Sequence, residues 1–211
     1  MANTTTSKNH DELVKLVMIG LLTAIVITLQ LIGQVINFGV FAGAVALIPI
    51  IVGAILYGPS IGAWLGFVFG TVILLFPESF TTFLLSMNPA ATIIIVLAKG
   101  SLAGAVSGLV FRLFDGLFKQ KKKYVSSLLA SLVAPVVNTG VFFLGFLLLL
   151  SGSMQKIATA IMGDGYTVVN PAHFIITVLI TFNFVFEVLF CTILSPAVVT
   201  IIELGKKKRH K

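Results

Sequence analysis

Most of the 21 charged side chains of this chain sit at its two ends and in one short cluster near the middle, and long apolar runs fill the space between. That distribution constrains the fold more than any motif does. Of 211 residues, 58% are apolar and 10% charged, and the mean hydropathy is +1.12. A soluble domain carries about a quarter charged residues. A soluble enzyme, a disordered chain and a nucleic-acid binder are therefore excluded as expectations, despite the net charge of +7 and a pI near 9.7. At roughly 20 residues per span, the length holds about six transmembrane helices and no separate soluble domain. The single cysteine, Cys191, lies inside an apolar run and offers no disulfide framework. The expected fold class is an all-α membrane protein, with six transmembrane helices in a compact bundle.

Runs bounded by proline, glycine and charge place the spans at 14–36, 42–57, 60–76, 90–117, 125–151 and 172–204. A cytoplasmic tail (1–13), one membrane domain (14–204) and a basic tail (205–211) are the expected divisions. The first run is longer than a signal-peptide core and has no A-x-A cleavage pattern, so it reads as the first helix. The second is short and broken by Pro49, which requires its ends to pack in protein rather than face lipid. Gly58-Pro59 alone separates it from the third, predicting a tight hairpin. Pro196 predicts a kink in the last span. The segments 77–89 and 152–171 read as irregular outer loops.

Positive charge sets the orientation. With the N-terminus in the cytoplasm, the inner side collects Lys8, Lys15, Arg112, Lys119, Lys121, Lys122, Lys123, Lys206, Lys207, Lys208, Arg209 and Lys211. Lys156 falls outside and Lys99 within the bilayer. Both termini are expected to be cytoplasmic. The basic clusters are then topology signals and contacts for anionic lipid, with no nucleic acid needed to explain them.

Small residues recur at helical spacing in three rows: Gly58, Gly62, Gly66 and Gly70; Gly100, Gly104 and Gly108; and Gly20, Ala24 and Thr28. Such rows let helix backbones approach closely where apolar burial supplies no drive. The two glycine rows read as packing inside the bundle. The row on the first helix suits either internal packing or contact with another protein.

An ionisable residue inside a span is a functional hypothesis by default. There are two. Lys99 lies about nine residues into the fourth span, roughly 14 Å below its outer end. Glu187 lies deeper along the sixth. By α-helical phase Asn183, Thr177 and His173 share the Glu187 face, while Ser127, Ser131 and Asn138 share one face of the fifth span. Gln30 and Gln34 sit one turn apart near the outer end of the first. Together these predict a polar pocket opening outward, in which Lys99 pairs either with a ligand or with Glu187.

Catalysis has little to work with. Two of the three histidines, His10 and His210, are in the tails, so no nucleophile–base–orienter set can be built on histidine. There is no H-E-x-x-H metal motif and no Walker A sequence. Gly163-Asp164-Gly165 reads as a turn. The chain is expected to be neither an enzyme nor a metal binder.

Two stretches resemble a known family. Ile48-Pro49-Ile50-Ile51-Val52-Gly53 through Leu56-Tyr57-Gly58-Pro59-Ser60-Ile61-Gly62-Ala63-Trp64-Leu65-Gly66 is similar to the second and third helices of the S components of energy-coupling factor (ECF) transporters. So are Asn88-Pro89, Lys99-Gly100 and Ala103-Gly104 to Gly108-Leu109-Val110. The resemblance implies a multi-pass subunit of a prokaryotic plasma membrane that binds a vitamin. It also implies a coupling transmembrane subunit and two ATPases on other chains, which use ATP and magnesium. In the family, small residues on the first helix dock on the coupling subunit, and the matching row here is Gly20, Ala24 and Thr28. The caps over the substrate would be Asn37–Phe41 and Glu78–Asn88. Within the family the chain looks closest to pantothenate-type members. Lys99 suits a carboxylate, and Asn138 and Asn183 suit the amide and hydroxyls of pantothenate, with Gln34, His173 and Glu187 as further candidates. Hydroxymethylpyrimidine, riboflavin and thiamine are the alternative ligands; a self-sufficient secondary carrier is the alternative class, but no inverted repeat supports it.

Overall fold

The computed structural model describes residues 2–35, 41–118 and 123–209, with side chains for 12–34, 45–118, 123–180 and 184–200. All regular structure among them is helical. In a bilayer this follows from backbone chemistry, because a helix satisfies its own N–H and C=O groups where water cannot.

The long helices are α1 (Ala2–Val35), α5 (Pro89–Leu117) and α6 (Lys123–Leu149). Each contains a stretch long and apolar enough to cross a membrane. Two bent pairs bring the possible number of spans to five, and α2 (Phe41–Tyr57) is a shorter apolar helix. The α2–α3 hairpin turns on Gly58, whose φ of +102° suits a residue without a Cβ. Pro59 then opens α3 (Pro59–Leu75) at the position where its missing N–H costs nothing. Arg112 of α5 lies against this turn, where a Cβ on Gly58 would collide with its guanidinium.

Both segments expected to be irregular contain a helix. Within 77–89, α4 (Ser79–Met87) folds back from α3 at 83°, with the break at Phe76–Glu78. Pro77 disfavours helical geometry at the residue before it, so α3 stops there rather than running on. Asn88 ends α4 and caps α5, its side chain accepting from the Ala91 N–H at 3.1 Å. Within 152–171, α7 (Met154–Met162) buries Met154, Ile157 and Ala158. Gln155 ties the following loop to α7, donating to the Tyr166 carbonyl and accepting from the Val168 N–H. The Gly163-Asp164-Gly165 turn has positive φ at both glycines.

The last helical stretch begins as α8 (Pro171–Phe174), passes through a π-helical turn (Ile175–Ile180) and continues as α9 (Thr181–Arg209). It bends by 53° between Ile180 and Phe184, well before Pro196, through which α9 continues. Two cores result. The larger gathers Val26, Ile50, Leu65, Phe69, Ala134 and Cys191 between α1, α2, α3, α5, α6 and α9. The smaller, at the α4 and α7 end, is built on Leu84, Ile95, Phe146, Ile157 and Phe174.

The two glycine rows face each other. A Cβ on Gly62 or Gly104 would strike the partner's backbone, and the same holds for Gly66 and Gly100. Gly70 meets the backbone of Val96 and Leu97, and Gly108 that of Pro59. α3 and α5 thus pack backbone to backbone, which fixes the height of everything α5 carries.

Candidate functional site

Lys99 sits on α5 one residue before Gly100, so the closest α3–α5 contact sets its position. Thr92, Ile95, Val96 and Lys99 line one cavity from α5, spaced for a single helix face. α4 covers it with Phe80, Thr81 and Leu84, and α6 closes it with Phe142 and Phe146, one turn apart. The two α6 rings lie 4.4 Å apart, and Phe80 stacks on Phe146 at 6.4 Å. The Lys99 ammonium lies 5.6 Å from the centre of the Phe142 ring and 6.0 Å from that of Phe69. Aromatic faces offer a cation partial compensation for lost water. The cavity holds about 50 Å³, room for one or two groups the size of a water or a carboxylate.

One further charge lines the cavity. Glu78 stands at the head of α4, exposed, its Oε1 accepting from the Thr81 hydroxyl at 3.3 Å. The carboxylates whose fields reach Lys99 are those of Glu187 and Glu78.

Glu187 belongs to a second polar locus, between α6 and α9. It is 1% exposed. The Asn138 amide donates to both its oxygens, at 3.2 and 3.1 Å, and Thr139 donates to Oε2 at 3.4 Å. Asn138 Oδ1 is buried with no hydrogen-bond partner among the described residues. Toward the start of α6, Ser131 donates to the Ser127 carbonyl, and Ser107 of α5 donates to the Ala130 carbonyl. These hydroxyls serve the backbone.

The expected single face on the last helix is not kept. His173 and Thr177 are exposed whereas Glu187 is buried. The π-helical turn between them carries more residues per turn than an α-helix, so α-helical phase counted across it fails. His173 heads α8, its N–H bonded to the Asn170 side chain. The side chain of Asn183 lies outside the described residues, as do Asn37–Val40, the basic residues 119–122 and the side chains of 206–211. Gln34 carries two buried amide atoms, and Gln30 one, without a partner among the described residues. Neither glutamine lines the Lys99 cavity. Sequence reasoning named Glu78–Asn88 as a cap without singling out Glu78 or Thr81, and missed Thr92, Phe142 and Phe146. The spacing 138, 142, 146 on α6 and 92, 96, 99 on α5 carried the signal for three of them; Glu78 was hidden by reading its segment as loop.

On α1, Leu22, Val26 and Gln30 face the bundle, while Gly20, Ala24 and Thr28 are exposed on its other side. A Cβ on Gly20 would meet nothing within 4 Å.

Residues 14–199, nearly the whole helical body, match the family model described as ECF transporter, substrate-specific component. The chain belongs to that family. It is a membrane protein and a substrate-specific subunit, serving a transporter whose coupling and ATPase functions lie on other subunits. Neither a curated protein nor a solved structure matches this S component.

Proposed function

We propose that this S component captures pantothenate from outside the cell and delivers it through a complex with a coupling subunit and two ATPases. Its six apolar segments then all cross the plasma membrane, α2 and the bent pairs included, with both termini in the cytoplasm. The reading rests on one observation: an ammonium, Lys99, in an aromatic-walled cavity at membrane depth. An ammonium taken out of water needs an anion close by or loses its proton. Glu187 has donors of its own in Asn138 and Thr139, and Glu78 is exposed and bonded to Thr81, which together favour a ligand carboxylate as the resident anion. Asn138, Gln34, Asn183 and His173 are the further candidates for the ligand's hydroxyls and amide, although Asn138, Gln34 and His173 do not line this cavity. The cavity takes the carboxylate end alone. The rest of the molecule extends past Glu78 and Phe80, so α4 shifts on binding.

The test measures pantothenate binding and thermal stability together. Lys99→Met is expected to weaken binding by about 2–5 kcal/mol, the scale for truncating one side of a desolvated pair, while the empty protein stays folded. If Glu187 were the partner instead, the same change would strand a carboxylate and lower stability first. Full-strength binding by Lys99→Met overturns the site. Reconstituted alone, the subunit is expected to bind the vitamin without accumulating it.

A further inference from the structure

The Lys99 cavity carries two opposite charges where an anion-binding pocket needs one. Lys99 is on its α5 wall among rings, and Glu78 lines the same cavity from the exposed head of α4. Thr81 holds the Glu78 carboxylate by a hydrogen bond within the first turn of α4. In so small a cavity, a carboxylate arriving at Lys99 enters the field of one already there. Like charges lining one cavity repel, and more weakly where water reaches one of them, as it does the exposed Glu78. A charge at the rim of a binding site acts mainly on association rate and salt dependence.

We propose that Glu78 is a built-in anionic competitor for Lys99 that holds down the affinity of this S component for monocarboxylate ligands. The inference rests on the carboxylate reading of Lys99 given above. It makes Glu78 a specificity residue with a sign opposite to that of an ordinary contact, because removing it strengthens binding.

The experiment titrates pantothenate into the purified full-length subunit as wild type, Glu78→Gln, Lys99→Met and the double variant, at low and high salt. Glu78→Gln is expected to bind about two- to fivefold tighter at low salt, the scale for one exposed charge, through a faster on-rate. The gain should shrink at high salt, since exposed charges are screened. In the Lys99→Met background the same change should give no gain. The melting temperature of empty Glu78→Gln serves as the folding control. Unchanged or weaker binding by Glu78→Gln overturns the competitor role, weaker binding meaning that Glu78 holds the ligand directly. A gain that survives in the double variant overturns it too, because Glu78 would then act without Lys99. Full-strength binding by Lys99→Met, or no pantothenate binding by the wild type, instead overturns the proposed function beneath it.

Discussion

Asn138 spends its amide N–H groups on both oxygens of Glu187, at 3.2 and 3.1 Å, while its own Oδ1 is buried without a donor among the described residues. The pair is therefore lopsided: a buried carboxylate is well supplied with donors and an amide oxygen is not. Removing the amide and removing the charge should have opposite consequences. Asn138→Leu leaves the carboxylate buried with fewer donors, a loss on the order of 1–3 kcal/mol. Glu187→Gln keeps an acceptor for the Asn138 N–H and presents a new N–H to Oδ1, so a two-way amide pair becomes available. The expected order of melting temperatures in detergent is Glu187→Gln at or above wild type, with Asn138→Leu well below both. A Glu187→Gln variant as unstable as Asn138→Leu would mean that the charge itself holds α6 to α9.

Element by element, the sequence was most legible where backbone chemistry left no choice. Gly58-Pro59 announced the hairpin, and the two glycine rows announced close packing, because only glycine admits a carbonyl where a Cβ would stand. The same contacts make a prediction. Gly66→Ala puts a methyl group onto the Gly100 backbone, and overpacking of this kind costs about 1–3 kcal/mol. It should also displace Lys99, which follows α5, so pantothenate affinity and thermal stability fall together. Gly20→Ala adds the same methyl on the open face of α1, where nothing lies within 4 Å, and should leave both unchanged in the isolated subunit. Equal tolerance at the two positions would contradict the packing. Legibility failed where two periodicities met. The π-helical turn at Ile175–Ile180 broke the phase that joined His173 to Glu187. α4 and α7 are nine residues each, too short for a membrane-span window to register. The cap at Glu78–Asn88 was legible only as a loop implied by the family resemblance, so Glu78 itself and the ring wall around Lys99 were not.

At the scale of the whole molecule, α1 has two faces with different demands. Leu22, Val26 and Gln30 are buried against the bundle, and among the described residues nothing lies within 4 Å of a Cβ placed on Gly20. A row of small residues lowers the apolar area a helix offers to lipid, and all three of its members are exposed here. Its physical use is to let a second helix approach closely. Under the proposed function, the helix that would use this row is one of the coupling subunit. Ala24 is the middle of the row, so a larger side chain there props the two helices apart while touching neither the core nor Lys99. Ala24→Leu is expected to keep the melting temperature and pantothenate affinity of the isolated subunit. It should also reduce co-purification with the coupling subunit several-fold and, in the same measure, vitamin uptake by the assembled transporter. A change at an exposed position on another helix, Leu148→Ala of α6, should do neither. Full assembly by Ala24→Leu would return the row to lipid and move the docking face elsewhere on the bundle.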